Sequence, residues 1–256
     1  MSSHQQQTSR AERIEDVPGL LWASKEWSDL VIVCNGEEEI QAHRAIVCSR
    51  SKFFHSCLRL GFAETASGKI SLAEDFGILE GILQHLYGVD VTLLQPHDLT
   101  QELSQEDMRK SFLDIVCLYA AADKYAIPEL QAKIATVFFG RFQAVMDPEL
   151  MLSIATCVYR GTPYFDVDLR AAVISHVQTN LEAIVAAEET TKILLENQEL
   201  AADILRRIAP VLREQTEVLS SGNSSTKTSP TTPKKRKSPR LPDHAPGQYA
   251  FRLRLS

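Results

Sequence analysis

No apolar run in this 256-residue chain reaches the roughly 18 residues a membrane-spanning helix needs, so no membrane association is expected. Met1 to Arg10 is polar and rich in Gln and Ser, and without an apolar stretch it does not read as a secretory signal. Catalytic signatures are also missing. There is no G-x-S-x-G elbow. Gly61 and Gly68-Lys69 suggest a phosphate loop, but six residues separate the glycines where four are required. Ile70 also stands where a magnesium-binding hydroxyl belongs. His97-Asp98 lies in a polar stretch with no nucleophile setting. His85 and His176 fall within helical patterns, where histidines are more often surface or satisfied groups than bases. The chain is therefore expected not to be an enzyme.

Cysteine is sparse and unpaired in pattern. Cys34, Cys48, Cys57, Cys117 and Cys157 are odd in number, scattered and free of any CxxC spacing. His43, Cys48 and Cys57 fit no common zinc pattern, so neither a metal nor another cofactor is expected. Each cysteine sits in an apolar stretch and reads as a buried thiol in a reducing compartment, the nucleus or the cytoplasm. Aromatic residues make up only 7% of the chain against 44% hydrophobic residues, so Leu, Ile, Val and Ala form most of the core and favour helix-rich packing.

Charge is divided unevenly. Residues 220–256 hold eight Lys or Arg and one Asp, about +7. The remainder, with nineteen basic and thirty-two acidic residues, carries −13. Such an acidic body is a poor surface for nucleic acid, so no nucleic-acid partner is expected there.

What is present reads as an α+β unit followed by helices. Residues 1–19 form a polar, disordered lead-in. Leu30 to Cys34 is a continuous apolar run, suited to a strand covered on both faces. Asn35-Gly36 signals a two-residue hairpin and a return strand from Glu37 to Ala42. A helix opens at His43, and Ser51 caps a second over Lys52 to Leu60. Lys69 to Leu72 is a short strand, and Ile78 to Tyr87 repeats apolar residues at helical spacing. Residues 89–110 are polar and acidic, and read as an insertion or a long exposed loop with room for one weak helical turn.

Phe112 to Tyr125 returns to helix periodicity, and Pro128 and Asp147-Pro148-Glu149 start the next two helices. Gly161-Thr162-Pro163 breaks the chain before further helices near Val167–Gln178, Leu181–Ala187, Thr190–Glu196 and Leu200–Val218. Residues 219–256, rich in Ser, Thr, Pro and Lys, cannot bury a core and read as a disordered basic tail.

The element order over residues 27–140 and several residues in register resemble a BTB/POZ domain. These are Asp29-Leu30, His43-Arg44-Ala45, Ser51-x-x-Phe54, Ile70-Ser71-Leu72, Leu86-Tyr87-Gly88 and Asp123-Lys124-Tyr125. The pattern is most similar to fungal stand-alone BTB proteins. The resemblance implies a BTB/POZ fold over residues 20–142, a small sheet flanked by helices. An all-helical, BACK-like extension then follows over residues 145–218. No MATH, Kelch or zinc-finger sequence accompanies it.

The family implies functional residues as well. Asp29 and Arg44 match the pair that forms a charged pocket in many BTB domains. They read either as a fold-specifying ion pair or as a partner-binding pocket. Phe62-Ala63-Glu64 matches the hydrophobic-x-Glu motif with which BTB adaptors engage a cullin scaffold. In the other reading Phe62 packs back on the preceding helix. Leu20, Leu21, Trp22 and the helix from His43 to Val47 lie where relatives build a self-association surface, implying a homodimer. In the tail, Pro233 leads Lys234, Lys235, Arg236 and Lys237, a cluster similar to a nuclear import signal read by an importin. The alternative is a solvating basic tail. Together these imply a BTB adaptor serving a cullin-type ubiquitin ligase, or a nuclear scaffold or transcription-associated regulator that binds no cullin.

Overall fold

Leu30–Cys34 (β1) occupies the middle of a three-stranded sheet, ordered β2-β1-β3, in the computed structural model. The structure describes residues 11, 13–59, 67–96 and 104–222. β1 pairs antiparallel with Glu38–Ala42 (β2), Leu30 facing Ala42 and Cys34 facing Glu38. It pairs in parallel with Lys69–Leu72 (β3), Val31 facing Lys69. Leu30, Ile32 and Cys34 are buried on one face of β1 and Val33 on the other, the pattern of a central strand. Asn35 and Gly36 take φ of 44° and 83°, matching the twist of the flanking strands. Glu37 adds one residue to this turn, so the return strand starts at Glu38 rather than Glu37.

Val17–Ser24 (α1) precedes the sheet, and a short 3-10 turn at Ile14–Asp16 leads into it. The lead-in expected through residue 19 is thus helical from Ile14. Pro18 lies in the first turn of α1, where its fixed φ favours a helix and its missing N–H costs nothing. Arg44–Arg50 (α2) and Lys52–Cys57 (α3) join β2 to β3. Ser51 between them is buried; its Oγ accepts the Phe54 amide at 3.3 Å and donates to the Tyr125 carbonyl at 2.7 Å.

Phe76–Leu86 (α4) buries Ile78, Leu79, Ile82, Leu83 and Leu86. Gln105–Lys124 (α5) starts well before Phe112, where its apolar periodicity begins. Ser104 caps it by accepting the Asp107 amide at 3.1 Å. Its first turn is polar and solvent-facing, so it leaves no apolar stripe to read.

The stretch expected to be an exposed loop also buries Val91 and Leu94 around a 3-10 turn at Thr92–Leu94. Gln84 fixes that turn: it accepts the Thr92 amide at 2.8 Å and donates to the Thr92 hydroxyl at 2.9 Å. Residues 97–103 of that stretch lie outside the described residues.

Pro128–Phe142 (α6) and Pro148–Gly161 (α7) both begin on proline, and Asp147 caps α7 by accepting the Leu150 amide at 2.7 Å. Asp168–Thr179 (α8), Leu181–Ala186 (α9), Glu188–Glu196 (α10) and Gln198–Gly222 (α11) follow, with no strand after β3 among the described residues. The α11 backbone carries helix through Gly222, past residue 219, where the tail was expected to start.

α5 packs on α4, α6 and α7, while α8 packs on α6 and α7 and α10 packs on α7. One apolar core runs from Leu30 to Ile204. The chain through Leu212 accordingly forms one compact unit, in which the strand-bearing part and the helical extension share an interior.

Candidate interaction surface

Side chains from elsewhere in the fold help to hold the start of α2. Asp29, just before β1, accepts the Arg44 backbone amide at 2.8 Å. A carboxylate at the first turn of a helix satisfies an orphan N–H and opposes the positive end of the backbone dipoles. Asp29 and Arg44 are therefore brought together, but not as an enclosed pair of charges. Asp29 is exposed and Arg44 half-buried, and the carboxylate caps the backbone of α2 from outside the core. The guanidinium lies beside Gly68, 3.5 Å from where a side chain at that position would begin.

His43, the residue before α2, is 6% exposed. Its amide donates to the Tyr87 phenolic oxygen at 2.7 Å. Its Nε2 lies 2.7 Å from the Glu26 carbonyl, which can only accept, so Nε2 carries the hydrogen. Nδ1, 2.6 Å from the Tyr87 oxygen, then accepts from the phenol. Burial pushes the Tyr87 phenol up to about 12, against the lowering effect of the His43 amide. Trp22 of α1 packs on the same phenol ring at 5.3 Å between centroids. This one constellation joins α1, β2, α2 and α4.

Beside it, Trp27 stands 81% exposed, with φ at 60°. A shallow surface hollow borders Trp27, Asp29 and the outer side of Gln41.

A second constellation ties α3 to the end of α5. Tyr125 stacks against Phe54 at 5.4 Å and meets Phe53 edge-on at 4.8 Å. Its hydroxyl donates to Glu74, which also takes Lys124 Nζ at 2.5 Å. Burial alone would raise the Glu74 carboxyl; these two hydrogen bonds outweigh it and hold it below its ordinary value.

Phe62 and Glu64, and Lys234, Lys235, Arg236 and Lys237, lie outside the described residues. All five cysteines are free thiols. Only Cys34 is fully buried and Cys117 is exposed, which corrects the expectation that each lies in the core. Cys117 sits on the outer side of α5, where the apolar neighbours in sequence point the other way. No group of three or more His, Cys, Asp or Glu is placed to hold a metal, and no helix is long and apolar enough to cross a membrane, among the described residues.

The family model of the BTB/POZ domain matches residues 20–138. This segment is a BTB/POZ domain. No curated protein matches the chain. BTB/POZ domains bind other proteins, and residues 20–138 make this chain a protein-interaction module. The residues that mark the BTB/POZ domain in sequence meet one another in space. Asp29 reaches Arg44, His43 reaches Tyr87, and Ser51 reaches Tyr125. Their role in the fold is to fix where α2 and α3 begin.

Sequence reasoning missed one centre in the helical extension. Arg170 of α8 is 7% exposed, and its guanidinium serves four oxygens. It donates to the Thr162 carbonyl at 2.8 Å, the Tyr159 carbonyl at 3.2 Å, the Thr162 hydroxyl at 3.2 Å and Glu199 at 3.0 Å. It also lies 4.3 Å over the Tyr159 ring, whose hydroxyl donates to Asp203 at 2.9 Å. One side chain thus fastens the end of α7 to α8 and α11. The legible signal was its phase, since Arg170 shares a helical face with Val173 and Val177.

Proposed function

We propose that this chain is a homodimerising BTB adaptor that recruits a bound protein to a cullin-type ubiquitin ligase. The observation that carries this reading is the sequence Phe62-Ala63-Glu64, placed between α3 and β3 of a BTB/POZ domain. An aromatic ring beside a carboxylate supplies an anchor and an orienting charge in three residues. The self-association surface of this reading is the face carrying α1, Trp27 and Asp29. Exposed Trp27 supports it, because aromatic rings are enriched in the cores of protein interfaces.

The test is a pull-down of a cullin scaffold with the full chain and with a Phe62→Ala, Glu64→Ala double variant. Loss of the cullin from the variant is the expected result. Equal recovery from both overturns the adaptor reading. Light scattering on the full chain tests the dimer, and a monomer mass at all accessible concentrations removes it.

One observation favours a second reading, a nuclear scaffold or transcription-associated regulator without a cullin. Pro233 followed by Lys234, Lys235, Arg236 and Lys237 has the composition an importin groove reads as an extended basic strand. A reporter fused to residues 226–242 is then enriched in the nucleus. Uniform distribution of the reporter removes this support.

A further inference from the structure

We propose that the turn between α7 and α8, with the acidic hollow beside it, docks a basic peptide segment of a partner protein, one carrying Lys or Arg next to an apolar residue. The site lies at the seam between the BTB/POZ domain and the helical extension, and owes nothing to the adaptor reading.

Three large apolar side chains crowd this short turn. Tyr164 is 81% exposed, Phe165 67% and Val167 73%. The two rings meet edge-on at 5.3 Å, so they form one surface rather than two loose side chains. The turn is held in place from below. Arg170 takes the Thr162 carbonyl, the Asp166 amide donates to the Pro163 carbonyl at 3.0 Å, and Asp166 accepts the Leu169 amide at 3.0 Å. A fixed aromatic turn loses little conformational freedom when it is covered.

Charge decides what covers it. Beside Phe165 and Val167 opens a hollow of about 230 Å³, walled by Asp123, Asp166 and Asp168, and no Lys, Arg or His lines it. All three carboxylates act on the buried phenol of Tyr119 at its floor. Burial, the Asp166 hydrogen bond and the charges of Asp168 and Asp123 together push that phenol far above its usual range. Three like charges around one hollow concentrate a negative field where a cation is attracted. An apolar rim next to it suits the aliphatic stem of Lys or Arg and a neighbouring apolar side chain. The acidic body of the chain steers the same sign of partner toward it.

The test is fluorescence anisotropy on the full chain, with labelled Gly-Arg-Leu-Lys-Leu-Arg-Gly as the probe and its counterpart with Glu at every basic position as control. The basic probe binds saturably, more weakly as salt rises, and the acidic probe does not. Phe165→Ala and Asp166→Asn each weaken binding by about tenfold or more. Asn at 166 keeps the acceptor for the Leu169 amide, and thermal melts confirm that both variants fold. Asp168→Asn, on the exposed first turn of α8, replaces either variant if its melt differs.

Four outcomes overturn the proposal. The basic probe fails to bind, both probes bind alike, or binding is unchanged in the variants. The fourth is a different occupant. Phe165→Ala dissolving a dimer assigns the surface to a second copy. Binding seen only after Lys234, Lys235, Arg236 and Lys237 become Ala assigns it to a basic segment of the chain itself.

Discussion

The phenolic oxygen of Tyr87 sits between the amide and the ring of His43, 2.7 Å from one and 2.6 Å from the other. One hydroxyl thereby serves a buried donor and a buried acceptor at the start of α2. Tyr87→Phe keeps the ring contact with Trp22 but strands both groups. The expected loss is about 1–3 kcal/mol of unfolding free energy. Urea unfolding of the two proteins measures it. A loss near zero would mean that water replaces the hydroxyl without cost.

Gly161 gives a sharper steric test. A Cβ there would stand 2.5 Å from Cγ1 of Val116, closer than two such carbons approach. Val116 is buried and β-branched, so it has little room to turn aside. Gly161→Ala is expected to cost about 1–3 kcal/mol through overpacking of α5 against α7. Pairing it with Val116→Ala should recover part of that loss, because the second change opens the space the first one fills. Additive losses in the double variant would place the strain elsewhere. Both single variants should still unfold in one transition, since one core spans the domain and the extension.

Acid stability should report on Glu74. Its carboxyl titrates below its ordinary 4.5 in the folded chain, because Lys124 and Tyr125 outweigh burial. A depressed folded value gives stability that is present above about 4.5 and is lost as pH falls through the lower folded value. Glu74→Gln removes that contribution. The gap between parent and variant in chemical unfolding should be widest near neutral pH and close in acid. A gap that stays constant would assign the effect to shape rather than charge.

Most element starts were legible because they carry local punctuation. Asn35-Gly36, Ser51, Pro128 and Asp147-Pro148 act within a few residues of themselves, so the sequence holds the whole cause. α5 was shortened because its first turn faces water and follows no apolar period. Val91 and Leu94 were assigned to an exposed loop because their burial comes from Gln84, eight residues before Thr92, and from α5, neither of which marks the loop residues themselves.

The candidate site divides in the same way. Asp29 and Arg44 were paired from sequence, but the donor that the Asp29 carboxylate meets is the Arg44 backbone amide, which no residue type announces. Arg170 belongs to no motif in the sequence. Two of its four acceptors are carbonyls at the end of α7, again invisible as residue types.

Trp22 and Trp27 make the last prediction, because close neighbours in sequence have opposite settings. Trp22 packs on Tyr87, and Lys25 Nζ lies 3.0 Å above its ring. Burial there lowers the Lys25 ammonium to about 8. Trp27 is exposed, on a backbone with positive φ that the Ser28 hydroxyl braces by donating to the Lys25 carbonyl at 2.6 Å. A ring that touches little should contribute little to folding. Trp27→Ala is therefore expected to change stability by no more than about 0.5 kcal/mol, whereas Trp22→Ala costs about 1–3. If the face beside Asp29 joins two copies, Trp27→Ala also moves the light-scattering mass toward the monomer without moving the melt. A variant that melts early would make Trp27 part of the fold. One that melts normally and stays dimeric would take the ring out of the interface.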